Sequence, residues 1–365
     1  EPCTCEAYEF PSGDAIAKRK KAIQKDIAEA LKAAEAEPEV EADTDREMER
    51  LFHASTMPAR PASSDTTEKR FIDAISDGLA CAMERHDNLV LMGQDIGAYG
   101  GVFKVTDGFV DRFGEDRVRN TPLCESAIIG SGLGLSIAGM KAMVEMQFAD
   151  FVTCGFNQIV NNLAKLHWRW GQPADVVVRM PTGAGVAAGP FHSQSNEAWF
   201  FHVPGLMLAY PAFPEDAKGL LAAAFDTPNP VLFFEHKALY RSLTGDVPNN
   251  DYALPFGQAR LIGSPASAVI ITYGMGVHWA LEQADRCRAA GLGEIGVLDL
   301  RTLAPLDWEA VFDASRKAGR VLVLHEDNLT GGIGGELTAR IQSECFEHLD
   351  APVCRVASLD TPIPF

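Results

Sequence analysis

The sequence predicts an α/β protein of two parallel-sheet domains that follow an N-terminal helical segment. Three observations predict it. Short apolar runs ending in polar or glycine residues, Leu89–Met92, Val176–Val178 and Val231–Phe234, alternate with longer helical patterns such as Phe156–Leu166. A second series, Val269–Tyr273, Gly296–Leu300 and Val321–His325, begins after the apolar pattern lapses around Pro248 to Pro255. With 365 residues, 47% of them hydrophobic, the chain can bury cores for two compact domains. Strands covered by helices on both faces read as continuous apolar runs, which is the pattern of a parallel sheet.

Taken in order, Asp14 to Glu35 is rich in Ala, Lys and Glu, with Ile23, Ile27 and Leu31 at four-residue spacing. This predicts an amphipathic helix, ended by Pro38. An acidic stretch follows, then Met48, Leu51 and Phe52 as a small apolar patch, then a linker rich in Pro, Ser and Thr. Asp65 and Glu68 make a capping pair ahead of Phe71, Ile72, Ile75, Leu79 and Met83, one buried helical face. The expected organisation is a helical segment over 1–54, a linker over 55–67, and α/β domains over 68–248 and 255–365. The abrupt ending, Thr361 to Phe365 with two prolines, suggests that the natural polypeptide continues.

Lys+Arg total 32 against Asp+Glu 50, a formal charge of −18. That argues against nucleic acid or an anionic membrane as partner and is compatible with a basic protein surface. No apolar run is long enough to cross a bilayer, and Glu1 to Asp14 lack the basic and apolar blocks of a secretory signal, so the chain reads as soluble and intracellular. Of the 8 cysteines only Cys3 and Cys5 lie close together, at a spacing that suits neither a zinc knuckle nor a disulfide framework. Reduced thiols, mostly in the core, are expected.

The stretch from Asn120 to Gly134, NTPLCESAIIGSGLG, carries one carboxylate, Glu125, between an apolar approach and small residues that open a helix. It is either an acid beside a ligand or an acid that complements a helix N-terminus. Gly130, Gly132 and Gly134 have the wrong spacing for a dinucleotide loop, and close helix packing explains them better. In Thr330–Glu336, TGGIGGE, an anion site at a helix N-terminus competes with tight backbone packing. His192, in GPFHSQS, follows the glycine-rich stretch Gly183 to Gly189, which suits a mobile loop carrying a proton donor or a histidine held by structural hydrogen bonds. His202 follows on an apolar segment ending at Pro204. Ser193 and Ser195 have no evident charge-relay partners. Trp168 and Trp170, with His167 and Arg169, fit a helix end in an oligomer interface better than a stacking surface.

These segments together resemble the β subunit of the branched-chain and pyruvate dehydrogenase first components, in the transketolase-like superfamily, from about residue 67 to residue 365. The markers are GQDIGAYGGVF from Gly93, TPLCES from Thr121, EMQFADF from Glu145, NQIVN from Asn157, FHSQSNEAWF from Phe191, PGL from Pro204, PEDAKGLL from Pro214, DLRTLAPLD from Asp299 and HEDNLTGGIGGE from His325. The resemblance implies transketolase-type domains, a pyrimidine-binding one and then a C-terminal one. It also implies a thiamine-diphosphate-dependent enzyme that oxidatively decarboxylates a 2-oxoacid and reductively acylates the lipoyl group of an acyltransferase. Residues 1–54 resemble the tail of the family's α subunit, so α and β are either fused or separate, giving a dimer of fused chains or an α2β2 assembly. A bacterial cytoplasm is favoured over a mitochondrial matrix.

The same resemblance assigns roles. Glu125 hydrogen-bonds the cofactor's aminopyrimidine ring in an apolar pocket that Leu123 and Cys124 suit, and His192 donates a proton to the opening lipoyl dithiolane. Gln147 and Phe151 line the pyrimidine pocket, with Phe151 standing where several relatives have Tyr. Mg²⁺ ligands lie on the α portion; Thr106-Asp107-Gly108 is not the family's metal motif. A monovalent cation, K⁺, is implied at backbone carbonyls of Ala224, Thr227 and Asn229, with Thr227 replacing a common acid. Phe233-Phe234-Glu235 and Leu239-Tyr240-Arg241 are closer to the branched-chain enzymes than to the pyruvate enzymes. The competing readings are a transketolase-like or deoxyxylulose-phosphate-synthase-like transferase and a non-catalytic assembly subunit.

Overall fold

The computed structural model describes residues 11–54 and 60–364, so Cys3, Cys5 and the first part of the expected linker lie outside the described residues. The chain divides into two units, residues 1–48 and 49–365. The first holds the helix Gly13–Glu35, where Ser12 caps the N-terminus by accepting the Ala15 N–H at 3.3 Å. Its apolar stripe of Ile16, Ile23, Ile27 and Leu31 is exposed.

The second unit contains, among the described residues, a seven-stranded sheet, a five-stranded sheet and a two-stranded ribbon. The seven-stranded sheet has the order Thr302–Ala304, Met207–Ala209, Val231–His236, Val176–Thr182, Lys141–Glu145, Leu89–Gly93, Val118–Asn120. Every pairing in it is parallel except that of the edge strand Thr302–Ala304. The five-stranded sheet runs Cys354–Ser358, Val321–Asn328, Ala268–Thr272, Ile295–Asp299, Arg260–Ile262, and only the last pairs antiparallel. The two parallel-sheet α/β layers expected from the apolar runs are therefore present. The runs were legible because both faces of these strands are covered: Leu89–Gly93, Val176–Thr182 and Val231–His236 are buried throughout.

The two sheets share one apolar cluster. It passes from Val144 and Val178 through Tyr210 and Phe234 to Tyr273, Leu300 and Val323. Tyr210 stacks on Phe234 at 5.6 Å and meets Tyr273 at 5.3 Å, so the carboxyl edges of the two sheets are held against each other.

Two expectations fail locally. Asp65 and Glu68 do not cap a helix: Thr66–Arg70 is a strand paired antiparallel with Thr244–Pro248, and the helix Phe71–Arg85 starts after Arg70 without a side-chain cap. Asp65 instead accepts the Ser63 hydroxyl and the Asn249 backbone N–H on its carbonyl. The cysteines are not mostly core either, since of the six described only Cys345 is buried while Cys154 and Cys354 are exposed. The expected helix Phe156–Leu166 forms as a π-helical turn, Gln158–Leu163, running into the helix Ala164–Trp170, where Trp168 and Trp170 are exposed and Arg169 lies 5.6 Å over the Trp170 ring.

Candidate active site

The chemistry-bearing residues follow the carboxyl ends of the parallel strands, the edge at which open α/β sheets bind ligands. Gln94 and Asp95 follow Leu89–Gly93, the Thr121–Glu125 loop follows Val118–Asn120, Gln147 to Phe151 follow Lys141–Glu145, and the His192 loop follows Val176–Thr182.

Glu125 is the first residue of the helix Glu125–Ile137, where the helix dipole favours a negative charge. It is only 7% exposed, and one of its carboxylate oxygens accepts the Gln94 amide at 3.2 Å. It borders a groove of about 570 Å³ walled by Cys124, Ser126, Ala127, Gly130, Ser131, Cys154 and Gln158. A methyl group placed on Gly130 would meet only Gln158, at 3.9 Å, so small residues leave room for a flat ligand there. Gly132 behaves differently: its added carbon would lie 3.0 Å from Val144 Cγ1, so close packing explains Gly132 and not Gly130 or Gly134. A buried single acid beside a groove floored by small residues fits the aminopyrimidine end of thiamine diphosphate.

Leu123 does not supply the apolar surroundings expected of it, because it is 80% exposed. Cys124 is half-buried. A second surface must cover Leu123 if the carboxylate is to sit in low dielectric.

Gln147 donates to Asp95 at 2.8 Å, so the Gln94–Asp95 pair ties Gln147 to Glu125. Asp95 itself adopts φ 59°, a left-handed conformation that Asp tolerates better than most residues. Phe151 lies 5.4 Å from the His192 ring and 5.6 Å from Phe148, and Phe148 meets His192 edge-on at 4.7 Å. Phe148, Phe151 and His192 thus form one aromatic cluster, next in sequence to Gln147.

Several residues at this edge were not singled out from sequence. Lys237 is buried, and its ammonium has no hydrogen-bond partner among the described residues and lies 5.6 Å over the Phe148 ring. Burial pulls its ammonium down to about 8 against the opposing pull of Asp150 and Glu326. Glu326, from the five-stranded sheet, accepts Ala184 N–H at 2.7 Å and the Ser195 hydroxyl at 3.2 Å, and pairs with His236 at 2.8 Å. Gln94, Asp95, Phe148 and Glu326 all lie inside the quoted motifs, so their presence was visible but their partners were not.

Other candidates lie elsewhere. His202 is exposed and borders a separate cavity with Trp308 and Arg340. The TGGIGGE turn packs tightly, since a side chain on Gly332 would meet Asn328 O at 2.4 Å and one on Gly334 would meet the His325 ring at 2.6 Å. Ser193 is buried without a partner and forms no relay. Among the described residues no group of three or more His, Cys, Asp or Glu is arranged to hold a metal, and Thr106 spends its hydroxyl on Ile96 O at 2.8 Å. Near the implied cation position, Asn229 exchanges hydrogen bonds with the His53 backbone at 2.8 and 3.0 Å and with Thr227 Oγ1 at 2.9 Å. Those side chains are spent, which would leave a cation backbone carbonyls alone. Phe233, Phe234, Glu235, Leu239 and Tyr240 are core residues and border none of the grooves described above.

Residues 68–242 match the family model "Transketolase, pyrimidine binding domain", and residues 257–365 match "Transketolase, C-terminal domain". A solved split-gene transketolase, described as an inactive β4 tetramer, superposes with a TM-score of 0.66 over 80% of this chain and 88% of its own, at 22% identity. Two such domains in tandem define the transketolase-like class. The 2-oxoisovalerate dehydrogenase subunit beta of Bacillus subtilis (strain 168) is 46% identical over 296 residues, covering 80% of this chain and 90% of the relative. The mitochondrial 2-oxoisovalerate dehydrogenase subunit beta 2 of Arabidopsis thaliana is 43% identical, covering 80% and 82%. The pyruvate dehydrogenase E1 component subunit beta of Rhizobium meliloti (strain 1021) is 35% identical, covering 84% and 67%. The chain belongs to the family of thiamine-diphosphate-dependent 2-oxoacid dehydrogenase β subunits.

Proposed function

We propose that this chain is the β half of an enzyme that decarboxylates a branched-chain 2-oxoacid, with pyruvate as the poorer substrate, and transfers the acyl group to a lipoyl-bearing acyltransferase. The observation that carries the reading is Glu125: one buried carboxylate, held by Gln94, at the head of a helix and beside a groove of small residues.

Thiamine diphosphate, when bound, supplies the nucleophilic carbon and the electron sink for decarboxylation. Glu125 would hold a hydrogen bond to the cofactor's ring nitrogen, and Gln94, donating to the carboxylate, would keep it in place so that little reorganisation is needed. Gln147, braced on Asp95, and the ring of Phe151 line the same end of the cofactor. Phe148 and Phe151 pack edge-on against His192 and orient it. His192 would give its ring proton to one sulfur of the lipoyl dithiolane as the other sulfur bonds to the acyl carbon and the S–S bond breaks, the electron pair coming from the decarboxylated substrate.

The exposed Leu123 calls for a covering partner, and we assign that role to the α portion, which also supplies the Mg²⁺ and diphosphate ligands. Residues 1–54 would be the end of that portion in a fused chain, assembled as a dimer or an α2β2 equivalent, with the exposed Trp168 and Trp170 at an interface. A K⁺ ion, if bound, would rest on the carbonyls of Ala224, Thr227 and Asn229. The similarity to a Bacillus subtilis relative favours a bacterial cytoplasm.

The test is turnover by the full polypeptide with its α portion, thiamine diphosphate, Mg²⁺ and a lipoyl acyltransferase, on 2-oxoisovalerate and on pyruvate. The expected kcat/KM for 2-oxoisovalerate is about tenfold or more above that for pyruvate, the scale of one to two methylenes in a pocket. Equal or reversed preference would overturn the substrate assignment, and no turnover of either would overturn the reaction.

A further inference from the structure

The loop that carries His192 is closed at its base by a residue from the other sheet. The loop occupies residues 183–196, between the strand Val176–Thr182 and the short helix Ala198–Phe201. It leaves the strand through Gly183 at φ 84°, pressed so closely on His236 that a side chain there would meet the imidazole at 2.2 Å. Gly185 and Gly189, at φ 87° and 80°, give the middle of the loop conformations that other residues resist.

Glu326 lies in the strand Val321–Asn328 of the five-stranded sheet. Its Oε1 accepts two donors, the Ala184 backbone N–H at 2.7 Å and the Ser195 hydroxyl at 3.2 Å. These residues stand at the two ends of the loop, so one carboxylate oxygen ties the loop's entry to its exit. Its Oε2 is engaged by His236 at 2.8 Å, which braces the carboxylate from the neighbouring strand end. Burial opposes ionisation of Glu326, but the His236, Ala184 and Ser195 bonds outweigh it and hold the carboxyl below its usual range. A further anchor is Asp150, which accepts the Gln194 N–H at 3.1 Å.

We propose that Glu326 is a positioning residue for His192: by fastening both ends of the loop it holds the imidazole against Phe148 and Phe151, where the lipoyl group must arrive. This rests on the reading of His192 as the proton donor to that group. Glu326 is not among the residues that line the Glu125 groove, and its hydrogen bonds go to Ala184, Ser195 and His236. Lipoyl reduction, which uses His192, therefore depends on Glu326, and decarboxylation read with an artificial electron acceptor does not.

The test uses the complete enzyme with Glu326→Ala, Glu326→Gln, His192→Ala and the Glu326→Ala, His192→Ala double variant. Three quantities are measured: decarboxylation of 2-oxoisovalerate with an artificial acceptor, reductive acylation of the lipoyl partner, and amide hydrogen exchange across residues 183–196. Glu326→Ala is expected to slow reductive acylation about 30-fold or more, to change artificial-acceptor turnover less than about threefold, and to speed exchange in the loop alone. Glu326→Gln keeps an oxygen that accepts from Ala184 and Ser195, and so is expected to recover to within about threefold of wild type. The double variant should be no more than about threefold worse than His192→Ala, because residues acting through one another are not additive. Should Glu326→Ala fail to fold, Ser195→Ala, which removes one tie, is expected to give a loss of about 3- to 10-fold confined to the lipoyl step. Equal losses in both reactions, unchanged loop exchange, or losses that multiply in the double variant would overturn the proposal. Reductive acylation left intact in His192→Ala would instead overturn the role of His192, and the proposal with it.

Discussion

Arg179 and Glu235 face each other in the buried centre of the seven-stranded sheet, joined by two hydrogen bonds of 2.6 Å from Nε and Nη2 to the two carboxylate oxygens. The third guanidinium nitrogen holds Glu145 on the next strand, and Tyr240 donates to Glu235 at 2.6 Å. Two carboxylates on one cation leave an excess negative charge, and burial pushes the Glu145 carboxyl up, opposed by Arg179 and assisted by Glu235. Arg179→Met would leave both acids uncompensated. The expected cost is about 3–5 kcal/mol, read as a lower urea midpoint at unchanged slope. A loss under about 1 kcal/mol would mean that the acids simply take up protons.

Gly130 and Gly132 lie on one helix yet predict opposite outcomes. Gly132→Ala drives a methyl to 3.0 Å from Val144 and 3.4 Å from Val176, with an expected loss of about 1–3 kcal/mol in stability. Gly130→Ala meets nothing nearer than 3.9 Å and improves helix propensity, so stability should hold or rise by about 0.5–1 kcal/mol. Its methyl protrudes into the Glu125 groove, and thiamine diphosphate affinity should fall about tenfold or more. Thermal melting paired with cofactor titration separates the two effects; unaltered cofactor affinity in Gly130→Ala would place the cofactor elsewhere.

What could be read from the sequence, and what could not, follows the range of the interactions involved. Leu89–Met92, Val231–Phe234 and Val269–Tyr273 announced themselves because a strand covered on both faces must be apolar at every position. Thr66–Arg70 has no such signature. It is a mostly exposed polar strand whose partner lies at Thr244–Pro248, and the same polar residues were read as a helix cap. Glu125 stood out as the single acid among small residues, but the exposure of Leu123 depends on what this chain leaves uncovered. Glu326 sat in a quoted motif, yet its task depends on Ala184 and Ser195, which the fold alone brings to it.

Asp299 supplies a pH prediction. Burial, then the nearby Asp216, raise its carboxyl from 3.8 to about 7, and its Oδ2 has no partner. The folded state therefore binds more protons than the unfolded state between pH of about 4 and about 7. Stability from this group is greatest below that window and falls as pH rises through it. Asp299→Asn can still accept the Arg301 N–H and carries no charge. Its stability relative to wild type is expected to rise from near zero at about pH 4 to about 2–4 kcal/mol above about pH 7. A pH-independent difference would show that Asp299 is ionised throughout.

The role of Glu125 is tested most directly by artificial-acceptor decarboxylation of 2-oxoisovalerate by the complete enzyme, comparing wild type with Glu125→Gln at saturating thiamine diphosphate and Mg²⁺. Loss of the carboxylate should lower kcat by about 10²- to 10⁴-fold while the folded protein and its melting temperature are retained. Turnover within about threefold of wild type would remove Glu125 from the chemistry and contradict the site described above.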